Sequence, residues 1–163
     1  MRKVPVLVCA TVCGLAVVPT ASAVQIFRGH GSLCEPINST EAARVRYDQH
    51  GVSNSSTTSA AVVSCGSALE SNALVLTEVD RVTLIVYDRH ATQEVTCTFR
   101  QQDFAGFTLA SSTIETDGFS SDWAIIDWDA PQNNVATVYV ECSIPPLTGN
   151  GRSHVVNFLS QKD

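Results

Sequence analysis

Three groups of side chains in this 163-residue chain carry types and spacings that could do chemistry. The triplet Asp88-Arg89-His90 places a carboxylate two residues from an imidazole, the pairing that acid–base hydrolysis or polar ligand binding would use. The segment Asp117-Gly118-Phe119-Ser120-Ser121-Asp122, followed by Asp127 and Asp129, is the densest run of carboxylates. Calcium takes about six to eight oxygens, which carboxylates, serine hydroxyls and loop carbonyls can supply. Trp123 and Trp128 are the two tryptophans, and an indole exposed on a sheet is a platform on which the apolar face of a sugar can stack.

Each group also has a plainer reading. Asp88 can initiate a turn and pair locally with Arg89 at little energetic gain. The acidic segment does not follow the EF-hand pattern, and an acidic protein carries such clusters as solvated loops. The tryptophans stand five residues apart, which puts them on opposite faces of a regular strand. Trp128 is in phase with Ile126, and Trp123 with Ile125 and Asp127, so at least one indole is expected in the core. Other signatures are missing. The histidines His30, His50, His90 and His154 form neither His-x-His nor His-Glu-x-x-His. Gly29-His30-Gly31-Ser32 is not a Gly-x-Ser-x-Gly elbow between strand and helix, and there is no phosphate-cradling glycine loop. Asn38-Ser39-Thr40 and Asn54-Ser55-Ser56 fit the glycosylation sequon, a pattern that short polar loops also produce by chance.

The elements that must position these residues read as strands. Apolar residues repeat with period two, and β-branched types recur, while helical spacing is absent over any long window. Segments 44–48, 60–65, 81–87, 94–100, 104–109, 113–116, 123–128, 135–142 and 153–159 are the strand candidates. Gly51 to Ser59 reads as a polar turn, Asp88 to Gln93 as a hairpin loop, and 67–76 as a helical turn or an irregular connection. Pro145-Pro146 ends the strand before it. About eight short strands at regular spacing predict an all-β fold, a single antiparallel β-sandwich of immunoglobulin-like or jelly-roll-like type.

Met1-Arg2-Lys3, the apolar run from Val4 to Val18 and the closing Ala21-Ser22-Ala23 have the make-up of a secretory leader cleaved after Ala23. The expected organisation is therefore a signal peptide over 1–23 and one β-sandwich domain over 24–163. Cys9 and Cys13 leave with the leader, and Cys34, Cys65, Cys97 and Cys142 remain. Four cysteines in an exported chain imply two disulfides with three possible connectivities. The sequential pairing Cys34–Cys65 and Cys97–Cys142 is expected, since it closes one loop in each half of the domain. Zinc-type spacing is absent. Losing Arg2 and Lys3 moves the formal charge from −6 to −8, the wrong sign for a nucleic-acid binder, and no later segment is long enough to span a membrane.

The cysteine framework, with GVSNSS (Gly51 to Ser56), VSC (Val63 to Cys65), VYDRH (Val86 to His90), VTC (Val95 to Cys97), YVECSIPP (Tyr139 to Pro146) and VVNF (Val155 to Phe158), resembles a group of exported bacterial β-rich proteins of unknown function. The resemblance implies a leader, a β-rich fold and paired cysteines, and it assigns no site. The resulting expectation is a secreted module, extracellular or periplasmic, that is structural or binding and not an enzyme, without a cofactor unless calcium is bound. Its partner would be a surface polysaccharide or another exported protein. The alternative is a carbohydrate-binding domain using Trp123 or Trp128, with Asp122, Asp127 or Asp129 as polar partners. A third is a hydrolase built on Asp88, His90 or the acidic loop.

Overall fold

The computed structural model describes residues 25–66, 81–103, 105–119, 122–130 and 137–162. The expected leader and the 67–76 connection lie outside them. Within them are eleven strands: β1 (Gln25–His30), β2 (Glu35–Pro36), β3 (Val45–Asp48), β4 (Gly51–Asn54), β5 (Ala61–Gly66), β6 (Arg81–Tyr87), β7 (Thr96–Gln102), β8 (Thr108–Glu115), β9 (Ala124–Asp129), β10 (Thr137–Ile144) and β11 (His154–Lys162). They form a β-sandwich of two antiparallel sheets. The larger has the order β3-β4-β11-β6-β9, with β1 also alongside β11, and the smaller has the order β2-β5-β10-β7-β8.

The core lies between the sheets and follows from alternation. Val82, Leu84 and Val86 of β6 face Val138, Val140, Cys142 and Ile144 of β10 and Cys97 and Phe99 of β7, all fully buried. Each such side chain contributes roughly 1.5–3 kcal/mol by leaving water. The sulfurs pair Cys34–Cys65 and Cys97–Cys142. Cys97 and Cys142 are direct cross-strand partners of β7 and β10, and Cys34 leads into β2 opposite the end of β5. Both bridges therefore reinforce the smaller sheet, where one in each half of the domain is expected from spacing. Closing loops of 31 and 45 residues, each contributes about 4 kcal/mol by restricting the unfolded chain.

Two local expectations are corrected. Gly51–Asn54, read as a turn because it is polar, is strand β4 and wholly buried. Asn54 makes this possible: its Nδ2 donates to the carbonyls of Ser59, Ile144 and Pro145, and its Oδ1 accepts from the Ser56 amide. It ties β4 in one sheet to the end of β10 in the other, and its amide is unavailable as a glycosylation acceptor. Thr108–Glu115 is one strand where two shorter ones are expected. The turn before it is set by Asp103, whose Oδ1 accepts from the Ala105 and Phe107 amides. Gln25–His30, for which the sequence pattern gives no element, is also a strand.

One core residue breaks the polarity pattern. Gln101 on β7 is fully buried, and neither its amide nitrogen nor its oxygen meets a hydrogen-bond partner among the described residues. A buried amide without partners costs about 1–3 kcal/mol. Gln101→Met keeps the volume and removes the polar atoms, so its urea midpoint is expected to rise by the equivalent of about 1 kcal/mol or more. A midpoint below that of the natural protein would refute this.

The larger sheet is irregular at one point. β11 pairs Val155 with Val86 and Asn157 with Ile85, leaving Val156 as an extra residue in a β-bulge. Without it, residues an odd number apart would face opposite sides. With it, His154, opposite Tyr87, and Asn157, opposite Ile85, both stand on the outer face.

Candidate functional site

The outer face of the larger sheet ends in an aromatic cluster built from four segments. His50 lies in the two-residue turn between β3 and β4, where Asp48 pairs with Gly51. Tyr87 closes β6, His154 opens β11 directly opposite it, and Trp123 leads into β9. The register pairing Val86 with Ala124 sets Trp123 beside Tyr87. Their ring centroids are 5.1 Å apart; His50 lies 6.5 Å from Trp123 and 5.9 Å from His154. These four side chains line a cleft of about 230 Å³.

Polar contacts fix the walls. The Asp48 carboxylate accepts from the His50 amide at 2.8 Å and pairs with His154 Nε2 at 3.2 Å. Arg89 holds Tyr87 in place. Its guanidinium lies 5.2 Å from the Tyr87 ring centre and 5.3 Å from that of Phe119, donates to the Tyr87 hydroxyl and, through Nε, to the Asn150 carbonyl. A cation between two aromatic faces is stabilised by their quadrupoles, and here it braces the Tyr87 wall of the cleft.

Burial pushes the Asp48 carboxyl up. The His50 amide and the hydrogen bond and charge of His154, with the charge of His50, outweigh this and hold it below the usual carboxylate range. A carboxylate depressed on folding adds stability that is complete above its unfolded value, near 4, and is lost as pH falls through the folded one. Urea midpoints are therefore expected to fall on acidification below about pH 4, and more steeply in the natural protein than in Asp48→Asn. Parallel acid profiles would show that the pair does not couple to folding.

The residues singled out by type and spacing separate. Trp123 stands in the cleft wall with 52% of its surface exposed, whereas Trp128 is 8% exposed and packs on Phe99 at 5.6 Å; the two indoles are on opposite faces, and Trp128 is core. Asp88 is fully buried and accepts from the amides of His90 and Val95 and from the hydroxyls of Thr116 and Ser153. His90 Nδ1 accepts from the amides of Thr92 and Gln93, so the ring is a loop cap. Both residues, candidates for ligand contact by sequence, are buried and spend these atoms on backbone amides and hydroxyls of the fold.

The carboxylates Asp117, Asp122, Asp127 and Asp129 are all exposed and do not come together as a ligand set. Asp127 accepts from Thr83 Oγ1, and Asp129 pairs with Arg81 at 3.3 Å, each across the β6–β9 ladder. Among the described residues no three His, Cys, Asp or Glu side chains converge where a metal could sit.

Comparison with known proteins finds distant likenesses. No protein-family model and no curated protein sequence matches the chain. A solved CBM36-1 domain of a multidomain xylanase from the hindgut metagenome of Trinervitermes trinervoides is similar over 85% of this chain and 98% of its own, at 10% identity and a TM-score of 0.47. A chain of infectious bursal disease virus, Gx strain, is similar over 97% of this chain and 36% of its own, at 7% identity and a TM-score of 0.47. TmCBM61, solved with β-1,4-galactotriose, is similar over 87% of this chain and 86% of its own, at 12% identity and a TM-score of 0.35. Such distant likenesses assign no activity.

The cleft residues His50, Tyr87 and His154 were not separable from other polar and aromatic residues by sequence motif. They lie 37 and 67 positions apart along the chain and meet through strand register. The one local signal is the Asp48-Gln49-His50-Gly51 hairpin.

Proposed function

We propose that this chain is an exported, non-catalytic binding module that seats a sugar ring against Trp123. One observation carries the reading: a half-exposed indole, braced by Tyr87, forms a wall of a cleft whose other walls are two imidazoles. An indole gives the apolar face of a pyranose a flat surface, while imidazole and phenol groups at its edge can exchange hydrogen bonds with hydroxyls. The leader-like N-terminus and two disulfides support an oxidising, extracytoplasmic setting, and the partner there is a surface polysaccharide or the glycan of another exported protein. A hydrolase is the weaker reading, because Asp88 and His90 spend their acceptor atoms on backbone amides and hydroxyls.

A glycan array, followed by titration of the best binder, tests this. Trp123→Ala is expected to weaken binding by about tenfold or more while moving the unfolding midpoint by less than the equivalent of about 1 kcal/mol, as befits an exposed side chain. Binding of equal strength by Trp123→Ala, or an array with no bound glycan, would refute the proposal.

A further inference from the structure

Trp123 has a second side. It also lines a neighbouring groove of about 350 Å³ whose other walls are Ile85, Ile125, Val156 and Asn157. This groove continues the same outer face, where register sets Ile85 between Ile125 of β9 and Asn157 of β11. The two hollows share one wall and differ in chemistry. The first offers two imidazoles and a phenol; the second offers three aliphatic side chains and, besides the indole, one amide. Among the described residues no ionisable group lines the second groove, and Ile125 at its margin is 66% exposed.

A sugar hydroxyl moved from water into the second groove would recover few hydrogen bonds, and each one left unmade is costly. An alkyl or aryl group placed there gains by leaving water, with the aliphatic walls covering it. Exposed apolar area of this kind, rimmed by polar residues, marks interaction surfaces. The bulge unites the two halves, since the same extra residue that returns His154 to the outer face, Val156, is a wall of the apolar groove.

We infer that the ligand is amphipathic: a glycoside whose sugar lies in the His50–Tyr87–His154 cleft and whose apolar substituent crosses Trp123 into the Ile85–Ile125–Val156 groove. This rests on the sugar reading of the first cleft and adds the chemical class of what is attached to it. Lipid-linked and aryl-linked sugars share that chemistry, and the form of the substituent separates them.

Calorimetric titration of the protein with methyl, phenyl and n-octyl β-glycosides of glucose, galactose and xylose, below micelle-forming concentrations, with n-octanol as the sugar-free control, tests the inference. For at least one sugar the phenyl or octyl form is expected to bind about tenfold or more tightly than the methyl form; which of the two gains more tells an aryl from an alkyl ligand. Ile125→Thr is expected to cancel that gain and leave methyl-glycoside binding unchanged, with the near-ultraviolet dichroism of Trp128 against Phe99 reporting that the variant is folded. Equal affinity of all three forms of a sugar that does bind would overturn the amphipathic ligand and leave the sugar reading standing. A gain that persists in Ile125→Thr would overturn it too. n-Octanol binding as well as the octyl glycoside would overturn it as well, and no binding by any glycoside together with an empty glycan array would remove both readings.

Discussion

Asp88→Asn is expected to lower the stability of this protein by about 3 kcal/mol or more, a fall in melting temperature of about 10 °C or more for a domain of this size. The carboxylate sits where four strand ends meet: Asp88 follows β6, Val95 precedes β7, Thr116 follows β8 and Ser153 precedes β11. β6 and β11 belong to one sheet, and β7 and β8 to the other, so one side chain clasps the sandwich shut. Its Oδ1 accepts from the His90 amide at 3.0 Å and from the Ser153 hydroxyl at 2.9 Å. Its Oδ2 accepts from the Val95 amide at 3.1 Å and from the Thr116 hydroxyl. Each oxygen thus faces one hydroxyl and one backbone N–H. A hydroxyl can turn to accept; a backbone N–H cannot. An asparagine in either orientation therefore sets an NH₂ against an amide donor, in a place with no water access. Ser153→Ala removes one donor and is expected to cost about 1 kcal/mol. Because Ser153 Oγ also accepts from the Arg89 amide, its effect should be non-additive with that of Asp88→Asn. Denaturant unfolding of the two single variants and the double variant measures this. An asparagine variant melting within about 1 °C of the natural protein would show that the clasp does not hold the sheets.

That carboxylate illustrates how far sequence reaches in this chain. Period-two alternation in Glu94–Arg100 and Val135–Cys142, and the run of β-formers in Arg81–Tyr87, are properties of neighbouring residues, and the sandwich is legible from them. So is the separation of Trp123 from Trp128, because parity along β9 decides it. Asp88 stands out in the sequence because a charged residue beside the best strand must either meet a ligand or be satisfied within the protein, and three of the four donors that satisfy it lie 7, 28 and 65 residues away. β4 was hidden differently. Its residues are polar because Ser53 and Asn54 bond to backbone inside the fold, so polarity there marks internal hydrogen bonding and not a solvent-exposed turn. The cleft was the least legible part, since it depends on a bulge that inverts the parity of β11 between His154 and Asn157. No residue type announces that bulge from within the strand.

The residues that do announce it lie elsewhere, and they support the second large prediction. Gly31 and Gly51 both face the bulge: a Cβ on Gly31 would stand 1.9 Å from the Val155 carbonyl oxygen and 2.8 Å from its carbon, and one on Gly51 would stand 2.2 Å from the same oxygen. The obstacle in both cases is backbone, which cannot swing aside as a side-chain tip would. Gly31→Ala is expected to cost about 3 kcal/mol or more, and Gly51→Ala at least as much, since its φ of +115° also disfavours any side chain. Two other glycines separate the causes. Gly149 has open space around it and no positive φ, and Gly106 has open space with a φ of +84°. Gly149→Ala should be neutral to about 0.5 kcal/mol, and Gly106→Ala should cost about 1 kcal/mol for its backbone alone. The collision is what remains when those values are subtracted. Because the displaced peptide joins Val155 to Val156, next to His154, Gly31→Ala should also move the His154 imidazole resonances and weaken glycoside binding in the molecules that stay folded. Gly31→Ala unfolding like Gly149→Ala would mean that β11 can close its bulge at no cost, and the cleft would then owe its shape to something other than the two glycines.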